Sequence, residues 1–251
     1  MGNRGAGAVA ISAEERMAVS AGRMLGAYST CFVGIGSPSL AAMFAKRLIA
    51  PHLTLIYESG VIGADPPYAP LSTGSPSLTR KTDMIGSMLD VFGALQAGWI
   101  DVGLLSGAQV DLEGNLNSTV IGSYQHPKVR LPGSGGALDI ALLARETLIL
   151  MPHEPRRFVS RVDFVTSPGR LSPATARESL GLGRGPTAIV TDNAVFRFGA
   201  FGLELSAIFA DVNEADVLAG FNVRIERASN LEVLELPTER EIATVRSCVA
   251  Q

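Results

Sequence analysis

Two short apolar segments flank a helical segment near the start of the chain. TCFVGIG (residues 30–36) and HLTLIYE (52–58) are rich in β-branched and aromatic residues. PSLAAMFAKRLIA (38–50) lies between them and begins with a proline, which suits the first turn of a helix. Strand, helix and strand in this succession form a βαβ unit, whose strands are parallel and whose crossover is right-handed. The unit predicts an α/β protein built on a parallel sheet.

The rest of the chain continues this pattern. Further predicted elements are a helix after Ser12, which forms a capping box with Glu15, a loop over 59–77, a helix over 83–96, strands over 100–110 and 146–152, a glycine-rich loop opening a helix over 130–144, a hairpin about Asp192-Asn193, and a helix from Pro237. We therefore expect an α/β fold class: one open, mostly parallel sheet with helices on both faces and an antiparallel hairpin region. A single domain should span residues 1–251, with residues 1–11 as a loose arm.

Composition excludes several classes of function. The formal net charge is −3 and no basic block is present, which argues against nucleic-acid binding. No apolar run approaches the ~18 residues of a membrane span, so no membrane segment is expected. Two cysteines, Cys31 and Cys248, are too few for a disulfide framework and favour a reducing cytoplasm.

Metal and serine-hydrolase chemistry find little support in the motifs. His52, His126 and His153 are far apart in the sequence and form no ligand motif, so we expect no metal site. A serine hydrolase needs G-x-S-x-G, and the residues around Ser106 have the wrong spacing.

A dinucleotide site is a more serious alternative. Gly34 and Gly36 follow a predicted strand and precede a helix, and Glu58 ends the next strand 22 residues later, as in a Rossmann fingerprint. The third glycine of that fingerprint is replaced by Ser39, however, and Pro38 intrudes. A nucleotide-dependent oxidoreductase is therefore the weaker hypothesis.

Glu58 and the loop Gly133-Ser134-Gly135-Gly136 suggest covalent chemistry when they are considered together. Separately, Glu58 could be a structural anchor, and the loop could be a flexible turn feeding a helix. In open α/β sheets, however, ligands bind outside the carboxyl ends of the strands, where Glu58 should lie. Successive glycine amides at a helix start can bind an oxyanion, and a carboxylate nucleophile needs such donors. Such a site would need no catalytic His or Cys.

Several segments together identify a family. GIGSPSLAAMFAKR, YESGVIGADP, GAQVDLEGNLNSTVIGSYQHPKVRLPGSGGA and VDFVTSPG resemble the β subunit of family I coenzyme A transferases, with the glutaconate CoA-transferase type as the closest form. The resemblance covers nearly the whole chain. Tyr57-Glu58-Ser59-Gly60 has the glutaconate-like form, whereas the related 3-oxoacid transferases carry Ser-Glu-Asn-Gly.

The resemblance implies a site and a partner. Glu58 would be the nucleophile that forms a glutamyl-CoA thioester, with coenzyme A as substrate and covalent intermediate and no permanently bound cofactor. The amides of Gly135 and Gly136 would form the oxyanion hole. The residues implied to shape the substrate pocket are Gly34, Gly36, Ser59, Gly60 and Gln109. A homologous α subunit would complete the enzyme, as an αβ heterodimer or α2β2 heterotetramer acting on an acyl-CoA and a carboxylic acid.

Two further outcomes remain open on this fold. CoA-thioester hydrolases and decarboxylases acting on diacids or ring-cleavage products share it, although such members tend to lack the glutamate. A non-catalytic paralogue is a third hypothesis, against which the intact ESG sequence and the glycine loop argue.

Overall fold

The computed structural model describes residues 10–171, 176–199 and 202–249. The helices in these ranges are α1 (Ala13–Met24), α2 (Ser37–Phe44), α3 (Met88–Gln96), α4 (Ala137–Leu143), α5 (Ala176–Ser179), α6 (Glu214–Val217) and α7 (Glu239–Ser247). Helix α2 continues into one wider turn over Ala45–Ile49, and 3-10 turns occupy Leu25–Ala27, Pro76–Thr79 and Pro155–Arg157.

The strands in the same ranges are short. They are β1 (Thr30–Val33), β2 (Thr54–Tyr57), β3 (Val61–Ile62), β4 (Met84–Ile85), β5 (Val102–Leu105), β6 (Gln109–Val110), β7 (Leu116–Asn117), β8 (Val120–Gly122), β9 (Pro127–Arg130), β10 (Glu146–Leu150), β11 (Pro186–Val190), β12 (Ala194–Gly199), β13 (Gly202–Phe209) and β14 (Glu226–Leu234).

Ten of these strands form one sheet in the order β14-β13-β12-β11-β10-β5-β1-β2-β3-β4. The central strands β11, β10, β5, β1 and β2 are all parallel to their neighbours within this group. Antiparallel hairpins flank the group, with β12 and β13 on one side and β3 and β4 on the other, and β14 pairs with β13 in parallel. The predicted α/β fold class, with its mostly parallel sheet and hairpin region, is confirmed.

Helices cover both faces of the sheet because the central strands are buried on both sides. One face packs against α1, α2 and α7, and the other packs against α3 and α4. Successive strand residues alternate between the two cores. In β2, Leu55 and Tyr57 enter the first core and Ile56 enters the second. The next residue, Glu58, therefore follows on the side of α3 and α4.

Local sequence signals explain where several elements begin. The predicted capping box of α1 is present, since Ser12 Oγ accepts from Glu15 N at 3.2 Å and Glu15 Oε2 accepts from Ser12 N at 2.8 Å. The predicted hairpin about Asp192-Asn193 is the β11–β12 pair. The helix expected over 83–96 begins later, at Met88, because a second capping box joins Ser87 and Asp90.

The predicted loop over 59–77 is also more ordered than its composition suggests. Its first residues form β3, which turns back on β2, and Pro76 begins a short 3-10 turn. Residues 1–9 of the predicted arm lie outside the described residues, whereas the Ala10 carbonyl accepts a hydrogen bond from Arg246 at 3.0 Å. None of the helices in the described ranges is both long and apolar enough to cross a membrane. The single-domain organisation stays a prediction.

Candidate active site

Glu58 lies in a tight turn between two strands of the main sheet. Tyr57 pairs with Val61, so that three residues connect β2 to β3, and Gly60 N donates to the Tyr57 carbonyl at 3.0 Å. Gly60 has a φ of +104°, and a Cβ at this position would lie 2.4 Å from the Gly86 carbonyl oxygen. Only glycine meets both conditions, which accounts for the glycine at the third position of this turn.

The glycine loop meets the carboxylate of this turn. Gly136 N donates to Glu58 Oε2 at 3.3 Å, across 78 positions of sequence. Gly135 is adjacent: it has a φ of +49°, and a Cβ there would lie 3.7 Å from Glu58 Oε2 and 3.9 Å from Oε1. The structure thus brings together three of the predicted site residues, at the carboxyl ends of the parallel strands, where α/β proteins bind ligands.

Phe92 of α3 closes the site from the side. A Cβ on Gly136 would lie 2.7 Å from Phe92 Cζ and 3.1 Å from Glu58 Oε2, so the ring and the carboxylate leave room only for glycine. Phe92 also packs on Phe32 of β1, with ring centroids 5.8 Å apart. Phe92 carries no motif in the sequence, because one aromatic residue in a helix is an ordinary core residue.

Ser59 presents a buried hydroxyl in the same turn as Glu58. Its Oγ has no hydrogen-bond partner among the described residues. Burying an unpaired hydroxyl costs about 1–3 kcal/mol, so such groups are uncommon in folded proteins. The hydroxyl of Tyr57 shares this condition, but its ring enters the first core, on the opposite face of the sheet. Ser59 is therefore the unpaired hydroxyl that distinguishes this turn from an ordinary hairpin.

Gly34 and Gly36 form the turn between β1 and α2. The Gly34 carbonyl accepts from Ser39 Oγ at 2.7 Å, and a Cβ on Gly34 would lie 3.0 Å from the Leu104 carbonyl oxygen. Gly36 caps α2 with a φ of +81° and is exposed. Ser39, which replaces the third glycine of a dinucleotide fingerprint, is buried and bonded back to this turn. Local backbone geometry therefore accounts for both glycines, and their role in substrate binding stays a prediction.

Gln109 belongs to a buried polar network. Its Nε2 donates to Asp163 Oδ2 at 3.1 Å, and its Oε1 accepts from Asn117 Nδ2 at 2.7 Å and from Asp163 N at 3.1 Å. Its predicted contact with substrate stays a prediction. Neither Gln109 nor the two glycines of the β1–α2 turn hydrogen-bonds to Glu58 within the described ranges.

The histidine that follows β10 is held by structural contacts. His153 Nδ1 lies 3.0 Å from Thr191 Oγ1, and its Nε2 lies 2.8 Å from the Val217 carbonyl oxygen. Both ring nitrogens are therefore engaged. Across the part of the chain that the structure describes, no group of three or more His, Cys, Asp or Glu side chains could hold a metal ion.

The chain is similar to known proteins over most of its length. The family model described as "Coenzyme A transferase" matches residues 15–208. The B subunit of 3-oxoadipate CoA-transferase from Pseudomonas knackmussii is 42% identical over 246 residues, which cover 96% of this chain and 95% of the relative. The crystal structure of glutaconate coenzyme A-transferase from Acidaminococcus fermentans superposes with a TM-score of 0.87 at 33% identity, covering 95% of each chain.

A more distant likeness shows the fold alone. The crystal structure of the decarboxylase AibA/AibB superposes with a TM-score of 0.80 at 23% identity, covering 96% of this chain and 95% of that chain. The family match over residues 15–208 and the two closer relatives are stronger, since the relatives cover 95–96% of this chain at 33–42% identity. This chain therefore belongs to the coenzyme A transferase family.

Proposed function

We propose that this CoA-transferase subunit acts by covalent catalysis through Glu58. The observation that carries the proposal is the 3.3 Å hydrogen bond from Gly136 N to Glu58 Oε2 at the carboxyl ends of the parallel strands. A half-buried carboxylate beside a backbone N–H donor suits attack on a thioester carbonyl, since that donor can meet the oxyanion that develops.

The reaction has two matched halves. One oxygen of Glu58 attacks the acyl-CoA carbonyl, the C–S bond breaks, and an acyl-glutamyl anhydride and the CoA thiolate result. The thiolate attacks the glutamyl carbonyl, which gives a glutamyl-CoA thioester and releases the first carboxylate. A second carboxylate then attacks this thioester and runs the same steps in reverse, which regenerates Glu58. No net hydrolysis occurs, so the thioester bond is conserved.

The surrounding residues take defined parts in this proposal. Gly136 N, aided by the neighbouring Gly135, binds the oxyanion of each tetrahedral intermediate. Ser59 and Gly60 shape the turn that holds Glu58, and the φ of +104° at Gly60 keeps this turn tight. The substrate pocket is completed by Gly34, Gly36 and Gln109.

The experiment that tests the proposal is Glu58→Gln in the assembled enzyme. The amide is nearly isosteric but a poor nucleophile, so CoA transfer should fall by at least about a thousandfold. With succinyl-CoA and no acceptor, the wild-type peptide containing Glu58 should gain the mass of CoA, and the variant peptide should not. A variant that keeps a tenth of wild-type turnover would contradict the role of Glu58.

The same assay separates transfer from hydrolysis. Net release of free thiol without an added acceptor would indicate a hydrolase on this fold, whereas exchange that depends on a second carboxylate indicates a transferase. We propose dicarboxylic acids as the acyl groups, because 3-oxoadipate and glutaconate, named for the two closer relatives, are both diacids. Glutarate should therefore be a better acceptor than pentanoate, which has the same number of carbons but a single carboxylate.

A second subunit is part of the proposed enzyme. The relative from Pseudomonas knackmussii is named as one subunit of its enzyme, which implies a partner subunit. Next to the catalytic turn, four exposed side chains form what we term the apolar strip: Met84, Ile85, Met88 and Leu89. Exposed patches of this kind commonly mark partner surfaces. We propose that a homologous α subunit covers the strip in an αβ or α2β2 assembly, and that the enzyme is cytoplasmic.

A further inference from the structure

The end of the glycine loop that carries the oxyanion donor is bonded to α4, where the Ser134 carbonyl accepts from Ala137 N at 2.9 Å and Ser134 Oγ accepts from Leu138 N at 3.3 Å. Gly133 and Gly135 have φ angles of +101° and +49°, and glycine visits many other backbone conformations at little cost. The donor, Gly136 N, must nevertheless stay within hydrogen-bond distance of the Glu58 carboxylate. The start of the loop, at Gly133, therefore needs groups outside the loop to fix it.

Ser118 hydrogen-bonds to both backbone polar groups of Gly133, the first residue of this loop. Its Oγ donates to the Gly133 carbonyl at 2.8 Å, and its own carbonyl accepts from Gly133 N at 2.8 Å. The other end of the loop is fixed by helix α4, where the Gly136 carbonyl accepts from Ile140 N at 3.0 Å. Only Ser134 and Gly135 lie between these two attachments.

Thr166 fixes Ser118 in turn. Its Oγ1 accepts from Ser118 N at 2.9 Å and lies 2.7 Å from the Thr119 hydroxyl. Thr166 is 5% exposed, and its N–H donates to the Leu116 carbonyl at 2.8 Å. A buried, hydrogen-bonded residue of this kind changes position little, so Ser118 is attached to a rigid part of the molecule.

We propose that Ser118 and Thr166 are positioning residues, which hold the Gly133–Gly136 loop so that Gly136 N faces Glu58. The proposal rests on the proposed function of Glu58 and Gly136. Neither hydroxyl is assigned a contact with substrate. Each acts through the loop, and a displacement of about 1 Å in such a donor can cost about a hundredfold in rate.

Ser118→Ala tests the proposal in the assembled enzyme. The substitution removes the bond from Oγ to the Gly133 carbonyl and leaves the backbone bond from Gly133 N in place. We expect kcat to fall between about fivefold and a hundredfold with KM within about twofold. Formation of the CoA adduct at Glu58, followed by mass spectrometry with succinyl-CoA as the probe, should slow by the same factor. Ser118→Thr keeps the hydroxyl and should restore kcat to within about threefold.

The control is Ser206→Ala. Ser206 Oγ also donates to a backbone carbonyl, that of Val195 at 3.0 Å, but it lies on β13 away from Glu58. This variant should show wild-type kcat, and Thr166→Val should resemble Ser118→Ala. A kcat within about twofold of wild type in Ser118→Ala would overturn the proposal. So would a loss of activity that follows a lower melting temperature and appears equally in Ser206→Ala.

Failure of the proposed function would look different. If wild-type enzyme forms no adduct at Glu58, or if Glu58→Gln stays active, the covalent role is wrong and the positioning role falls with it. If Glu58→Gln is inactive while Ser118→Ala is normal, only the positioning role is wrong.

Discussion

Gly136 occupies a crowded point of the candidate site, beside the nucleophile. Its amide meets the carboxylate of Glu58, and the ring of Phe92 covers the side where a Cβ would project. Its neighbour Gly135 is different: glycine is favoured there by the φ of +49° and not by crowding. Different physical constraints therefore favour glycine at these two positions, and substitutions at each position can distinguish the two constraints.

We expect Gly136→Ala to reduce kcat about a hundredfold or more, as the loss of one oxyanion donor does. The added methyl group would have to displace Phe92 or the loop, since it would start 2.7 Å from Phe92 Cζ. Gly135→Ala is the matched variant: its methyl group would make ordinary contacts with Glu58, at the cost of about 1–2 kcal/mol of backbone strain. Comparing kcat and melting temperature of the two variants checks this. If Gly136→Ala and Gly135→Ala changed kcat and the melting temperature by equal amounts, the special role given to Gly136 would be contradicted.

Among single residues, those that carry a local motif could be predicted from the sequence. Glu58 follows an apolar strand and precedes serine and glycine, and the paired glycines precede a helix, so both signals are short and continuous. Phe92 carries no such signal, and Ser118 and Thr166 lie in segments that resemble the family but that assign neither residue a role. They reach the site only through the fold, for instance by the contact between Ser118 and Thr166 across 48 positions of the sequence.

Among the elements, the β2–β3 hairpin could not be predicted from the sequence. Residues 59–77 are rich in glycine, proline and serine, which is typical of a loop, and β3 contains only Val61 and Ile62. Two residues are too few for a periodic pattern. The pairing depends instead on Gly60, whose positive φ closes the turn, and on β4, which joins β3 from the other side.

The contact between α1 and α7 depends on a partly buried ion pair. Arg23 donates from Nε and Nη2 to the two carboxylate oxygens of Glu241, each at 2.8 Å, and from Nη1 to the Glu235 carbonyl at 2.8 Å. The same carboxylate caps α7 by accepting from Thr238 N at 2.8 Å. Burial by itself would raise the pKa of Glu241, but the bonds from Arg23 and Thr238 outweigh it, and the pKa is lowered from its usual 4.5.

Arg23→Met should destabilise the fold by about 3 kcal/mol at neutral pH, because it leaves a buried carboxylate without its partner. For a domain of this size that corresponds to a melting temperature lower by about 6–12 °C. The folded carboxyl has the lower pKa, so its contribution is complete above pH 4.5 and is lost as the pH falls through the lowered pKa. The gap between wild type and variant should therefore narrow in acid. Thermal melts across this range check it.

The matched control is Arg227→Met. Arg227 pairs with Glu214 at 2.8 Å, and both side chains are at least 40% exposed, so this pair should be worth less than about 1 kcal/mol. A gap between wild type and Arg23→Met that stays constant from neutral pH to about pH 3.5, or a control that is equally destabilised, would argue against the role given to Glu241.

For the whole molecule, the parallel core was predictable and the edges of the sheet were not. Strands such as β1 and β2 are continuous apolar runs, as expected for strands buried on both faces. The edge strand β14 is mostly exposed, and its sequence Glu226–Leu234 alternates too weakly to predict a strand. At the opposite edge, Met84 and Ile85 of β4 are exposed, although they are apolar. A second chain that covers them would remove this anomaly.

We expect Leu89→Glu to prevent assembly with the α subunit while the chain stays folded. Leu89 is 81% exposed in the isolated chain, so the charge costs little there, but it would be buried unpaired in an interface. Leu71→Glu is the comparison. Leu71 is 97% exposed and belongs to the 59–77 loop, outside the apolar strip. Co-purification and size-exclusion chromatography measure the result. Assembly lost in Leu71→Glu and kept in Leu89→Glu would assign the interface to the loop instead.

The hydrogen bond between Gly136 and Glu58 also governs the sequence of events in the proposed mechanism. At rest the oxyanion donor is occupied by the nucleophile itself, and the negative charge of Glu58 repels any free carboxylate that approaches. As Glu58 attacks a carbonyl in the proposed reaction, its negative charge moves to the new oxyanion, so the amide of Gly136 can donate to that oxygen instead. In the proposed mechanism, an acceptor carboxylate therefore meets a charged nucleophile before a thioester has reacted and an uncharged one afterwards. The charge of Glu58 would therefore determine the order in which the two substrates react.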